Sequence, residues 1–371
     1  MPFPLKLNDS HRRIAMLIRQ HQPVTRAQLA RLTGLGSGPV TQVTRDLVLA
    51  GLVREGERIK GGRGQPALPL MLDPSGTLSF GVGMIPGRLR IVAIDFAGAV
   101  IDEEFAPAPG EGPETVAAIV RESIDRICRK ARLIDFDRIL GVGFAVPGFF
   151  FANHAHVRTV EQHSSWRAEN LEALFSKALG LNCWVENDAT AAAIAEYYRL
   201  NAAPRSLITL LINYGIGAGL VLDGSVYRGR FGNAGEVGAF FPLDNPRPSG
   251  TDMLKFMRDW GIAIASLDQV DLSDSKQQAA SAAWAAKSSR QIRELVHSGW
   301  SWFDPERIIL SGALPHAILA QLLEYADLDQ MFDGDADRPR PETGVSQIGA
   351  SVSAIGAAHL PIHAFTSETR F

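Results

Sequence analysis

The sequence predicts an α/β protein built from two parts, a small helical head at residues 1–74 and a larger body at residues 75–371. Three observations support this division. Apolar residues recur at helical spacing in three short segments of the head, which then closes with a glycine-rich hairpin. Strand-like and helix-like segments alternate throughout the body. Residues 1–72 carry 11 Lys and Arg against 4 Asp and Glu, whereas the remaining residues carry 26 against 36.

Composition narrows the class of protein. Hydrophobic residues make up 46% of the chain and charged residues 21%, which is typical of a globular protein with a sizeable core. No apolar run approaches the ~20 residues that a membrane-spanning helix needs, so we expect no membrane partner. The first residues lack the apolar stretch of a secretory signal. Because only Cys128 and Cys183 are cysteines, we expect a cytoplasmic location and no disulfide framework.

The head has the element order of a winged helix-turn-helix. Asp9 or Ser10 can cap a first helix, which Pro23 ends, and Thr25 then caps a short second helix. Gly34 supplies the turn into a third helix, and a basic, glycine-rich wing follows. The helices bury an apolar face, for which the spacing indicates Leu29, Leu32, Val40, Val43, Leu47 and Leu49.

The outward face of the third helix carries side chains suited to DNA. Short or amide side chains near its start can reach base edges, and a basic residue one turn later can reach a phosphate. Basic residues of the wing can enter the minor groove or contact the backbone. The predicted contacts with double-stranded operator DNA are Ser37, Thr41, Gln42, Arg45, Arg58, Lys60 and Arg63. The alternative is a three-helix packing module that contacts protein instead.

Three segments of the body could carry chemistry. Glu186-Asn187-Asp188 lies at a strand end just before a helix, where an aspartate could accept a proton and an asparagine could hold hydroxyls. The alternative for this triplet is a helix cap. Residues 215–219 form a glycine-rich turn that could approach a phosphate or only close a hairpin. Glu236 lies in a second glycine-rich segment, which presents it into a cleft or forms a surface loop.

The order of these segments resembles the ROK family of sugar kinases and repressors. The series comprises GVGFAVPG, VENDATAAAIAE, GIGAGLVLDGSVYRG, AGEVGA and DPERIILSG. The segment AQLARLTGLG is similar to the winged-helix heads of bacterial repressors. The resemblance implies a two-lobed actin-like (ribonuclease H-like) body that binds a hexose between its lobes. It further implies that Asn187, Asp188 and Glu236 hold the sugar, that Gly148 lines the cleft, and that Asp188 is the catalytic base in kinase members.

The chain departs from the kinase pattern at both phosphate-binding turns. Kinases of the family have an Asp-x-Gly-x-Thr turn where this chain has residues 83–87, Gly-Met-Ile-Pro-Gly. The second turn, usually Gly-Thr-Gly, is Asn213-Tyr214-Gly215. Phosphoryl transfer depends on positioning and on neutralising phosphate charge, and the first departure removes the residues that do both. We therefore expect no enzyme activity, with Asp188 a vestigial base.

The zinc site that many family members carry is also incomplete in this chain. Its histidine corresponds to Ala239, and no cysteine follows Cys183 where the family has a cluster of three. A structural zinc needs about four nitrogen or sulfur ligands, so we expect no metal and no other cofactor.

Together these features predict a sugar-responsive transcriptional regulator whose effector is a sugar or sugar phosphate. We expect a repressor rather than an activator. Two recognition helices must meet two half-sites, so we expect a homodimer or tetramer. One alternative is an ATP-dependent sugar kinase with an appended head. Another is a regulator that answers to a protein partner and not to sugar.

Overall fold

The computed structural model describes residues 7–58, 68–107, 112–130, 138–151, 156–159, 166, 170–242, 246–332 and 338–367. The head contains three helices and a two-stranded antiparallel sheet. These are α1 (Asp9–His21), α2 (Arg26–Thr33), α3 (Ser37–Leu49), β1 (Val53–Glu55) and β2 (Leu70–Leu72).

Local side-chain chemistry sets the helix boundaries in the head. Asn8, and not the predicted Asp9 or Ser10, caps α1 by accepting a hydrogen bond from the His11 amide. Thr25 caps α2 as predicted, and Gln28 completes a reciprocal capping box with it. Gly34 ends α2 at a φ of 71°, a conformation that favours glycine, and so turns the chain into α3.

The helices of the head share one apolar core with the hairpin. Val40, Val43 and Leu47 of α3 are buried as predicted. The predicted burial of Leu32 and Leu49 is wrong, because Leu32 is 44% exposed and Leu49 is 76% exposed. Both lie near the C-terminal ends of their helices, where the next segment turns away and leaves no surface to cover them.

The first half of the body forms a five-stranded sheet and a separate two-stranded ribbon, with two helices. The elements are β3 (Leu78–Ile85), β4 (Arg88–Asp95), β5 (Val100–Pro107), α4 (Pro113–Lys130), β6 (Ile139–Val146), β7 (Gly148–Phe151), β8 (His156–Thr159), α5 (Leu171–Leu179) and β9 (Cys183–Asn187). The ribbon pairs β7 with β8.

The second half forms another five-stranded sheet and most of the helices. The elements are α6 (Asp188–Arg199), β10 (Leu207–Ile212), β11 (Ile216–Leu222), β12 (Ser225–Val226), α7 (Gly250–Asp259), α8 (Ser275–Phe303), β13 (Arg307–Gly312), α9 (His316–Ala326), α10 (Leu328–Phe332), β14 (Glu342–Val345) and α11 (Val352–Thr366). Within the described ranges, none of the helices is long and apolar enough to cross a membrane.

The two large sheets repeat one strand arrangement. The first has the order β5-β4-β3-β6-β9, and the second has β12-β11-β10-β13-β14. In each, the first three strands in sequence pair antiparallel and the last two join in parallel. The carboxyl ends of parallel strands are where α/β proteins usually place ligands.

Helices α6 and α11 connect the two sheets. α11 packs on β3 and β6, α6 packs on β10 and β11, and the two helices pack on each other. The helices approach closely because Gly356 faces Ala191, where an added Cβ would lie 1.7 Å from the Ala191 carbonyl oxygen. Residues 189–198 of α6 are all buried. This helix pair forms the centre of the body.

Candidate functional site

The predicted DNA contacts of α3 lie on one exposed face of the head. Ser37, Thr41, Gln42 and Arg45 are all exposed. Thr41 donates to the Ser37 carbonyl at 2.8 Å, and Gln42 donates to Asp46 at 2.9 Å. The side chains of this face are therefore held locally along the helix and open to the outside.

Two further features flank that face. Gly36 is the N-cap residue of α3 and supplies no side-chain hydrogen bond, so the first amides of the helix keep their donors available. Arg58 follows β1 and is exposed. Lys60 and Arg63, the other predicted wing contacts, lie outside the described residues.

In the body, the structure brings Asn187 and Gly148 together at the carboxyl end of β9. The Asn187 side chain accepts hydrogen bonds from the amides of Ala189 at 2.8 Å and Thr190 at 3.3 Å, which makes it the N-cap of α6. The same side chain donates to the Gly148 carbonyl oxygen at 2.7 Å. The helix-cap alternative is therefore realised, and the cap also fixes the chain at Gly148.

Asp188 and Glu236 are near enough to affect each other's charge. Burial raises the pKa of Asp188 to about 6. Hydrogen bonds from the Ala189 amide and Asn213 favour the ionised form and partly offset this rise. Glu236 is an exposed residue, yet partial burial of its carboxyl and the charge of Asp188 raise its pKa. Carboxylate oxygens accept hydrogen bonds, so these two side chains offer acceptors to the hydroxyl groups of a polyhydroxyl ligand.

The loop that carries Glu236 depends on Gly235. This glycine has a φ of 92°, and an added Cβ would lie 1.9 Å from the Ala218 carbonyl oxygen. Its own carbonyl accepts from the Ala218 amide at 2.8 Å, which ties the loop to β11. The glycine therefore allows the loop to approach the sheet closely enough to place Glu236 beside Asp188.

An ion pair under this site was not predicted. Glu186 is buried, accepts from the Asn187 amide at 2.9 Å, and pairs with Arg228 at 2.6 Å. Glu186 belongs to a triplet that the sequence marks, but its partner is 42 residues away. The pair links the strand that carries Asn187 to the segment before the Glu236 loop.

The two turns that depart from the kinase pattern are closed in different ways. β3 and β4 pair up to Ile85 and Arg88, so Pro86-Gly87 forms a two-residue turn. At the second turn, the Asn213 carbonyl accepts from the Gly250 amide at 2.7 Å. The Tyr214 hydroxyl accepts from the Leu267 amide at 3.4 Å. Asn213 and Tyr214 are thus held by contacts within the chain itself, whereas Gly215 is exposed.

No cluster of three His, Cys, Asp or Glu residues suited to a metal ion occurs in the part of the chain that the structure describes. Ala239 follows the Glu236 loop, and its methyl group cannot ligate a metal.

Comparison with known proteins identifies the relatives of this chain. An uncharacterised protein of Sinorhizobium fredii, y4fQ, is 28% identical over 97% of this chain and 92% of its own length. The xylose repressor of Caldicellulosiruptor bescii is 28% identical over 60% of this chain, and the match spans 55% of the repressor. That repressor match therefore covers about half of the relative.

Solved structures share the fold. A ROK family transcriptional regulator described as a homologue of the Escherichia coli MLC protein superposes with a TM-score of 0.71 at 21% identity, over 96% of this chain and 97% of the other. Structures of ROK-family kinases match only 76% of this chain. The model of the ROK family matches residues 87–363, which is well over half of the sequence. The chain therefore belongs to the ROK family.

Proposed function

We propose that this chain is a cytoplasmic, DNA-binding transcriptional regulator whose affinity for operator DNA depends on a sugar or sugar phosphate. In this proposal residues 1–74 form a winged helix-turn-helix. The remaining residues form a two-lobed actin-like body that binds the effector between its lobes. Two copies of the head, in a homodimer or tetramer, would meet two half-sites about one helical turn apart.

The exposed polar face of α3 is the observation that carries the DNA-binding part. Val40 and Leu47 hold one side of the helix in the core, which directs Thr41, Gln42 and Arg45 to the other side. The helix follows a glycine turn and lies in a region with an excess of basic residues, as a helix that enters the major groove requires.

The effector site would be formed by Asn187, Asp188 and Glu236, with Gly148 lining it. The two carboxyl groups offer hydrogen-bond partners for neighbouring hydroxyls. Asn187 already uses its oxygen as the cap of α6, so its role is to hold that edge in place and to offer its remaining amide hydrogen. The likeness to a xylose repressor supports a sugar as the ligand class.

Loss of both phosphate turns supports binding without phosphoryl transfer. The Pro86-Gly87 turn carries neither a carboxylate for a metal nor a hydroxyl for phosphate. At the second turn, Asn213 and Tyr214 are engaged by amides of the chain itself. Without those groups the charge of a transferring phosphate has no compensation at these turns.

A sugar kinase is the second candidate, favoured by two observations. The pKa of about 6 at Asp188 is suited to a general base, and solved kinases of the family share the fold of the body. ATP consumption measured over a panel of hexoses separates the two functions, because the regulator should show no sugar-dependent turnover and a kinase must.

Selection of bound fragments from the organism's genomic DNA, repeated with a library of free and phosphorylated sugars, tests the proposal. We expect specific fragments to be recovered and at least one sugar to change their recovery. Recovery that no sugar alters would favour a regulator controlled by a protein partner. Failure to recover any specific fragment would contradict the proposed function.

A further inference from the structure

A buried arginine contributes polar contacts to the junction of head and body, beside the apolar residues that the two parts share there. Arg19, on α1 of the head, is only 4% exposed. Its guanidinium donates to the carbonyl oxygen of Phe96 at 2.6 Å and to that of Ala97 at 2.9 Å, both in the turn that follows β4 of the body. A buried guanidinium must satisfy its donors, so this contact has a defined geometry.

Aromatic residues of the body surround the same guanidinium. Its central carbon lies 5.7 Å from the centre of the Phe96 ring and 5.1 Å from that of Tyr198, within the range of cation–π attraction. Tyr198 stacks on His359 at 4.6 Å and its hydroxyl lies 3.0 Å from Nδ1 of His363. Burial lowers the pKa of both histidines to about 3, so neither ring carries a charge that would repel Arg19.

Tyr198 is at the far end of the helix that begins at the candidate sugar site. Asn187 caps α6 and Asp188 is its first residue, whereas Tyr198 lies in its last turn. Ten residues of α-helix span about 15 Å. Because α6 is buried along this length and packed tightly on α11, we expect a displacement at one end to be transmitted to the other.

A second contact from α1 reaches the same end of α6. Gln20 donates to the Ala202 carbonyl oxygen at 2.7 Å, just beyond the helix. Ala202 and the preceding Asn201 have φ values of 55° and 57°, so the chain turns sharply at this point. Two side chains of α1 thus contact the C-terminal end of α6. Arg19 lies over the Tyr198 ring, and Gln20 donates a hydrogen bond to the Ala202 backbone.

We infer that Arg19 docks the head onto the C-terminal end of α6, so that a ligand contacting Asp188 at the other end of this helix changes the orientation of the head. The effector part rests on the proposed function, whereas the docking part does not. A ligand can shift the orientation only as far as it favours one position of α6 over another.

Distance measurements between spin labels test the docking in the full-length chain. Labels are placed on cysteines introduced by Arg31→Cys in the head and Lys177→Cys in the body, both exposed positions, while the native cysteines are buried. Arg19→Met removes the hydrogen bonds and keeps an apolar chain of similar length. Arg13→Met is the matched control, because Arg13 is an exposed arginine on the same helix.

We expect a narrow distance distribution in the wild type and in Arg13→Met, and one about twofold broader in Arg19→Met, since domains without a fixed interface move relative to one another. Gln20→Ala should broaden it less. Hydrogen exchange of the α3 amides verifies that the head remains folded in each variant. A distribution in Arg19→Met as narrow as the wild type overturns the docking.

The same labelled proteins test the route from the sugar site. D-xylose and D-glucose are added separately, and calorimetry determines which of them binds the wild-type protein. A sugar that binds should shift the distance in the wild type and in Arg13→Met but not in Arg19→Met. An equal shift in Arg19→Met overturns the route. If neither sugar binds, the proposed effector class is contradicted for these sugars, while the distances without sugar still decide the docking.

Discussion

The head and the body use polar side chains in opposite ways. On α3 of the head, Thr41, Gln42 and Arg45 stand on an open face above an apolar core. In the body, Asn187 is engaged with the backbone and Glu186 is paired with Arg228 beneath the surface. An open face of this kind suits a large partner that brings its own surface, whereas an engaged, half-buried set suits a small ligand.

The contrast extends to what maintains each site. The α3 face needs only the helix to be packed correctly, so its integrity depends on the head core. The body site needs a particular backbone path, fixed by Gly235 and by the Asn187 cap. Substitutions of the core should therefore damage the head site, and substitutions of backbone geometry should damage the body site.

The largest expected effect is in the head core. Leu47→Ala should lower the local stability of the head by about 2–5 kcal/mol, because Leu47 is fully buried and the substitution leaves a cavity. Hydrogen exchange of the α3 amides measures this. Leu49→Ala, two residues away and 76% exposed, is the matched control and should change the stability by less than about 0.5 kcal/mol. Equal effects would refute the described packing of α3.

The second largest effect is expected from a substitution that disturbs the backbone of the body. Gly235→Ala should lower the free energy of unfolding of the body by about 2–3 kcal/mol, because alanine disfavours the φ of 92° and its Cβ would clash with the Ala218 carbonyl. Chemical denaturation monitored by tryptophan fluorescence checks it. Gly215→Ala has open space around the added Cβ and should be nearly neutral. A stable Gly235→Ala protein would show that the Glu236 loop does not need this path.

The pH dependence of stability tests the buried carboxyl. Asp188 keeps its proton up to about pH 6 when folded but only to about pH 4 when unfolded, so the wild type loses stability as the pH rises between these values. Asp188→Asn removes the penalty and should be more stable than the wild type by about 2–3 kcal/mol at pH 7, with no gain below pH 4. Thermal unfolding across this range measures the difference. The exposed Asp259→Asn should show no such trend, and a parallel trend in both variants would disprove the assignment.

The smallest effect separates two kinds of contact on the α3 face. Gln42→Ala should weaken binding to a selected operator by about 1–2 kcal/mol and relax the preference at one base position. Arg45→Ala should weaken binding to all fragments alike. It should also reduce the slope of log affinity against log salt concentration by about one, because one phosphate contact is lost. Competition binding over a salt series distinguishes them. Identical behaviour of the two variants would contradict their assigned roles.

Sequence patterns predict the elements of this protein well and its long-range contacts poorly. The cap at Thr25, the turn at Gly34 and the strand that leads from Glu186 into α6 follow from local spacing. The pairing of Glu186 with Arg228 does not, because it joins segments that only the folded sheets bring together.

Hydrophobic periodicity also fails to predict which apolar side chains near the ends of helices are exposed. Leu49 continues the apolar spacing of α3, yet no neighbouring element reaches it. The contact of Arg19 with the turn at Phe96 is of the same kind, since an arginine on an amphipathic helix predicts a solvated side chain. In both cases the burial of the side chain depends on whether another part of the folded chain lies against it.

Direct binding to duplex DNA is the most decisive measurement. The full-length protein is titrated onto fluorescently labelled promoter fragments of its own genome at modest salt, beside a double variant carrying Gln42→Ala and Arg45→Ala. We predict saturable binding to at least one fragment by the wild type and a clear loss in the double variant. Equal binding by both proteins, or no bound fragment at all, would contradict the assignment of α3 as a DNA-reading helix.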